Sequence, residues 1–307
     1  MPFRHWIALT LSLCLLIGSQ PVVQPAAAIG TLATSGTVGW QEDQVFRSSD
    51  AYSGLDMVID NLGGRHVLLL DRTTGVLKYA YSERGGSDWS VVTVAEGGFT
   101  EVALTLAFDG SPKIAFTRFP DLYYATRRPN GTFQVETVSR GLAIGGLSLA
   151  WSEMGPQIIY GDERNLVNYA HSDGASWILD TIPLPDVVSQ YGVPDLVVDD
   201  ANHLHIATNR AGNVYYVNNV GGTWQTQNLG PGEAPAIAIE DGSSSRVHIV
   251  FRLGLEIRHL LRDGIPWVSD TVDSVAADTP DMLKPGLDLD AAGHPYVAFA
   301  SGRDLKV

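Results

Sequence analysis

Short apolar strands with period-two alternation recur along the chain, and they recur in sets. Segments 55–60, 104–109, 147–152, 194–199, 235–240 and 285–290 share one pattern. Odd positions are large and apolar, the fourth is mostly alanine or valine, and the last is mostly acidic. Alternation of this kind predicts strands packed small-against-large between neighbouring sheets. About ten residues after each lies a second apolar strand, as in Val67, Ile114, Ile158, Ile206, Ile249 and Tyr296. Third strands begin near Leu77, Leu122, Val167, Val214 and Ile257. An outer strand then opens on an aromatic residue followed five positions later by an aliphatic one. The pairs are Trp40/Val45, Trp89/Val94, Phe133/Val138, Trp177/Ile182, Trp224/Leu229 and Trp267/Val272.

Successive aromatics are 49, 44, 44, 47 and 43 residues apart. A period of that length predicts a propeller with one four-stranded blade per repeat. Six inner and six outer strands are present, but out of phase, because an outer strand at 37–46 comes first and an inner set at 285–307 comes last. Joining the two makes one blade and leaves no unpaired edge. The expected fold is therefore all-β, a six-bladed β-propeller of four-stranded antiparallel blades, with the N-terminal strand closing the last blade. Expected blade bounds are 55–100, 102–140, 146–187, 193–230, 235–275 and 285–307 with 37–46.

Composition adds the compartment. Arg4 and His5 precede an apolar run at 6–17, and Ala26, Ala27 and Ala28 offer a signal-peptidase site. The run is too short to span a bilayer. Residues 1–28 are expected to be a cleaved secretory signal, with the propeller at 29–307 exported to the periplasm or the medium as a monomer. Cys14, the one cysteine, leaves with the signal, so no disulfide is expected in the mature chain, a usage that points to a bacterial source. The formal charge of −14 becomes −15 once Arg4 is removed. Such acidity, without a basic run, argues against nucleic acid or membrane insertion as partners.

One repeat reads Gly110-Ser111-Pro112-Lys113-Ile114-Ala115-Phe116, then Leu122-Tyr123-Tyr124-Ala125, then Phe133 to Val138. It resembles the repeat of extracellular bacterial propellers and is similar to that of sialidase-like six-bladed propellers. The aspartate boxes of that superfamily are degenerate here. Ser82, Gly86 and Trp89 keep the spacing, but Arg84 stands in the aspartate position, and 172–177 is one residue out of register. The arginine motif near the sialidase N-terminus is also absent, since Ser48 and Ser49 follow Arg47.

Candidate chemistry lies on the face shared by the second-to-third and outer-to-inner loops. Each second-to-third loop carries an arginine: Arg72, Arg118, Arg164, Arg210, Arg252 and Arg303. Guanidinium is always charged and its planar fork matches carboxylate, sulfate or phosphate oxygens. Six at one channel mouth would steer an anion inward. Asp56, Asp195 and Asp288 on inner strands are the candidate catalytic carboxylates, with Glu101 and Asp281 in adjacent loops. A glycosidase needs two carboxyl groups within about 5–9.5 Å, and opposite channel walls are expected to be further apart.

The remaining columns read as architecture. Outer aromatics read as core, Asp60, Asp109, Asp199, Glu240 and Asp290 as turn residues, and His66, His205 and His248 as repeat positions. The sequon at Asn130 reads as a turn. Phosphate, calcium and nucleophile-elbow motifs are missing, so no cofactor or metal is expected. The function expected is non-catalytic recognition of an anionic glycan or similar ligand at the arginine-lined mouth. A sialidase-like glycoside hydrolase or polysaccharide lyase, and a scaffold for an extracellular protein, are the alternatives.

Overall fold

The protein's structure, a computed structural model, describes residues 52–71, 73–141, 143–185, 194–240, 242, 246–264, 266–279, 284–302 and 304–307, the side chains of 52–55 and 144 excepted. Consecutive strands form six antiparallel meanders, spanning 52–96, 102–139, 143–181, 195–231, 233–274 and 286–306. Their inner strands neighbour one another in chain order, from the first sheet through to the sixth. The fold is a six-bladed β-propeller. Five sheets have four strands and the sixth has three among the described residues. The segment 37–46, expected to complete that blade, and the signal-like segment 1–28 lie outside the described residues.

Alternation explains the burial. The second strand Leu204–Arg210 is buried along its whole length because both of its faces meet neighbouring blades. The outer strand Trp267–Ser274 is mostly exposed at the rim. Apolar clusters therefore form between blades: Leu68, Leu77 and Tyr79 of the first pack on Leu104, Ile114 and Phe116 of the second. The outer-strand aromatics belong to these seams. Phe133, Trp177, Trp224 and Trp267 each meet, edge-on, a third-strand tyrosine of the preceding blade: Tyr79, Tyr124, Tyr169 and Tyr216. The ring centroids lie 5.5, 5.2, 5.6 and 5.3 Å apart, respectively.

On the face opposite the candidate loops, acidic side chains hold the first hairpins. One carboxylate oxygen of Asp60 accepts the N–H groups of Leu62 and Gly64; Asp199 does the same for Ala201 and His203. The other oxygen lies 3.2 Å from a second-strand histidine, His66 or His205, whose Nδ1 is 2.6 Å from Tyr79 or Tyr216 Oη. In the fifth blade Glu240, His248 and His259 repeat the arrangement at 3.0 Å. The histidine column is thus a set of buried polar relays, each within one blade.

The second blade corrects one sequence alignment. Leu104 pairs with Ile114, as Met57 pairs with Val67 and Leu196 with Ile206. Leu104 is therefore the counterpart of Met57, two residues away from the sequence alignment, and Ala107 takes the hairpin position of Asp60. Asp109 sits inside the turn, accepting the Ser111 N–H at 2.9 Å. A slip of two keeps every side chain on its original face, so alternation could not detect it.

Candidate functional site

Second-to-third hairpins and outer-to-inner loops share one face, stitched by backbone bonds. Gly97 N–H donates to Gly75 O, Ala143 to Pro120, Gly232 to Gly212 and Val275 to Leu255, at 2.8–2.9 Å. Gly232 is required there: its φ is +158°, and a Cβ would stand 2.3 Å from the Phe251 ring.

The four described arginines of the column do not share one environment on this face. Arg72 and Arg303 lie outside the described residues. Arg210 and Arg252 are buried. Arg210 is in phase with Ile206, which faces the third blade, whereas Arg252 is in phase with Val250, which faces the sixth. A one-residue drift along a strand sends the side chain to the opposite seam. Arg252 Nε donates to Gly254 O at 2.7 Å, within its own hairpin. Arg164 is half exposed and braces its own turn, with Nε and Nη2 on Asp162 Oδ2 at 3.0 and 2.7 Å.

Arg118 differs. It is exposed and held by neutral partners: Nη2 donates to Tyr123 Oη at 3.1 Å, and the guanidinium lies 5.2 Å from the Tyr123 ring centre. That ring stacks on Phe116, with centroids 5.4 Å apart. Tyr123 O–H also reaches Asp121 Oδ2 at 3.1 Å.

Inner-strand carboxylates act as stitches between blades. Asp56 Oδ2 accepts the Leu104 N–H of the next blade at 2.7 Å, and Oδ1 accepts the Met57 N–H at 2.9 Å. Asp195 Oδ2 accepts the Ile237 N–H of the next blade at 3.0 Å. Ser148 fills the equivalent position in the third blade, its Oγ accepting the Leu196 N–H at 3.2 Å. Alanine or glycine occupies it in the other three, as Ala103, Ala236 and Gly286.

Lys284, two residues before the sixth blade's inner strand at Gly286–Leu289, reaches Asp195 Oδ1 in the fourth blade at 2.9 Å. Ser148 Oγ donates to the same oxygen at 3.2 Å. The charges of Lys284 and Asp195 both act on Asp56, the first lowering its carboxyl and the second raising it. Burial dominates Asp56 and pushes its carboxyl up to about 7. Burial also raises Glu101, with Lys284 opposing. Asp288 is raised to about 7 by burial; its Oδ1 takes the Leu289 N–H, and its buried Oδ2 has no hydrogen-bond partner among the described residues. Asp281 lies outside the described residues. Sequence reasoning missed Lys284, Ser148 and Tyr123; the scarcity of lysine was the one signal pointing to Lys284. Among the described residues, no three acidic, histidine or cysteine side chains come together as a metal site requires.

No protein-family model matches the chain, and no curated protein is significantly similar to it. Several solved structures share its fold. The SapL1 lectin in complex with α-methyl fucoside aligns with TM-score 0.56 at 12% identity, covering 81% of this chain and 92% of that one. A lectin from Aleuria aurantia, described as a six-bladed β-propeller with a novel fucose recognition mode, gives 0.54 at 12%, covering 81% and 91%. A Dyadobacter fermentans protein of unknown function gives 0.52 at 11%, covering 83% and 95%. At such identities the likeness is one of fold.

Proposed function

We propose that this chain is an exported, non-catalytic recognition module that binds an anionic glycan on its loop face. The observation that carries the reading is Arg118, a guanidinium exposed on that face and held by a phenol instead of a carboxylate. It spends one of its five N–H donors on Tyr123, leaving a fork free for a carboxylate or sulfate. Arg164 is committed to Asp162, and Arg210 and Arg252 are buried, so they serve the seams and hairpins first. Two propellers of similar fold are lectins, which supports sugar recognition as the use of such a face. The ties of Asp195 to Lys284, Ser148 and the Ile237 N–H engage both of its oxygens, which counts against that residue as a nucleophile or general base.

The test is titration calorimetry of the mature protein against uronate-containing, sulfated and neutral glycans, with product analysis after long incubation. Binding of acidic glycans that weakens with salt and disappears in Arg118→Ala is expected, without turnover. Turnover abolished by Asp195→Asn, or binding indifferent to Arg118, would refute the proposal.

A further inference from the structure

We infer that the second-to-third hairpin of the second blade, residues 118–123, is the primary subsite. It takes a sugar bearing a carboxylate, whose apolar ring face rests on Phe119 while its carboxylate sits in the Arg118 fork. This inference rests on the glycan reading above and locates it.

Phe119 is 63% exposed. A lone exposed apolar residue needs no explanation, but this one adjoins an exposed guanidinium on the ligand face. Among the described hairpin tips of that face it is the single aromatic. The others present Thr73 and Thr74, Glu163 and Arg164, Ala211 and Gly212, Gly254 and Leu255, or Gly302. A pyranose ring offers one face of C–H groups and a rim of hydroxyls, so it matches an apolar ring with polar groups at its edge.

The tip is also held in place, so little ordering is lost on binding. Pro120 O accepts the Ala143 N–H at 2.9 Å, and Asp121 Oδ1 accepts the Gly141 N–H at 2.9 Å. These two bonds clamp the hairpin to the loop leading into the third blade. The stem of Arg118 lies on Gly97, where a Cβ would come within 2.9 Å of Arg118 Cδ. A side chain at position 97 would require that of Arg118 to shift. Arg140, the residue before Gly141 in that loop, is exposed. Asp121 accepts from Tyr123 and Gly141, and among the described residues no ion pair joins it to either arginine.

The experiment compares polygalacturonate and alginate oligosaccharides with their carboxyl-reduced counterparts, using calorimetry and saturation-transfer NMR on the full mature chain. Expected results are binding of the acidic forms alone and saturation of sugar C–H protons from aromatic resonances. Phe119→Ala should weaken affinity about tenfold, Phe119→Trp should retain it, and Arg118→Lys should weaken it despite keeping the charge. Unchanged thermal unfolding would show that each variant remains folded. Equal binding of the reduced oligosaccharides overturns the carboxylate assignment. Glycan binding lost in Arg118→Ala but unaffected by Phe119→Ala overturns the subsite and leaves the function standing. A wild-type protein that binds no glycan overturns both.

Discussion

Replacing Asp56 by asparagine removes a buried carboxyl group from the channel wall while keeping an oxygen for the Leu104 N–H. Asp56 is 7% exposed, and burial pushes it from an ordinary 3.8 to about 7. The folded chain therefore keeps this proton up to about pH 7, whereas the unfolded chain releases it near pH 4. Between those limits the folded state binds more protons, so stability falls as pH rises. A tenfold change in proton affinity is worth about 1.4 kcal/mol, so the whole rise amounts to about 4 kcal/mol. Asparagine does not titrate. The two proteins should differ by a roughly constant amount near pH 4, and the asparagine variant should then gain on the wild type by up to about 4 kcal/mol by pH 8. Urea unfolding followed by tryptophan fluorescence, at half-unit steps across this range, measures the difference directly. His66, His205 and His259 are lowered by burial and push stability the other way, since it is lost as pH falls below their unfolded value. They are common to both proteins and cancel. A difference that stays flat from pH 4 to 8, or that turns in favour of the wild type, would refute the assignment of a buried, proton-holding carboxyl.

Lys284→Met strands Asp195 in a largely enclosed position. It should cost about 2 kcal/mol, between the values for surface and fully buried pairs, and calorimetry should show Tm lower by about 4–8 °C. A double-mutant cycle with Asp195→Asn should give coupling above about 0.5 kcal/mol, and strict additivity would deny the contact. Gly232→Ala forces a methyl into Phe251 at a φ of +158° and should destabilise by about 1–3 kcal/mol in urea titrations. Tyr216→Phe leaves buried His205 Nδ1 without its partner and should cost about 1–3 kcal/mol, against no effect if the relay is idle. Deleting residues 29–50 should lower Tm by about 10 °C or more and promote aggregation, because the repeat assigns 37–46 to the last blade's outer strand.

The repeat was legible because each blade uses the same columns for the same contacts. Trp177, Trp224 and Trp267 could be recognised as core from recurrence, and their tyrosine partners stand in a column of their own. What recurrence could not supply is phase. Leu104 and Leu106 are equally good strand residues, and hairpin length decided which of them lies opposite Ile114. The four described arginines diverge for a related reason: Arg118 and Arg210 face the preceding blade, Arg252 faces the following one, and Arg164 lies in a turn. Lys284 belongs to no column. Its contact joins residues 89 positions apart through space alone, so only coordinates reveal it.

Units in a repeat array commonly touch none but their immediate neighbours, so a terminal unit can peel away while the remainder stays folded. The Lys284–Asp195 bond skips the fifth blade and ties the last unit to the fourth. Detaching the carboxyl-terminal sheet must therefore break a link deep in the ring, and leave behind a carboxylate that has lost its counter-ion. Fraying at that end becomes a disturbance felt by three sheets at once, which favours all-or-none melting of the disc over stepwise loss of its final member.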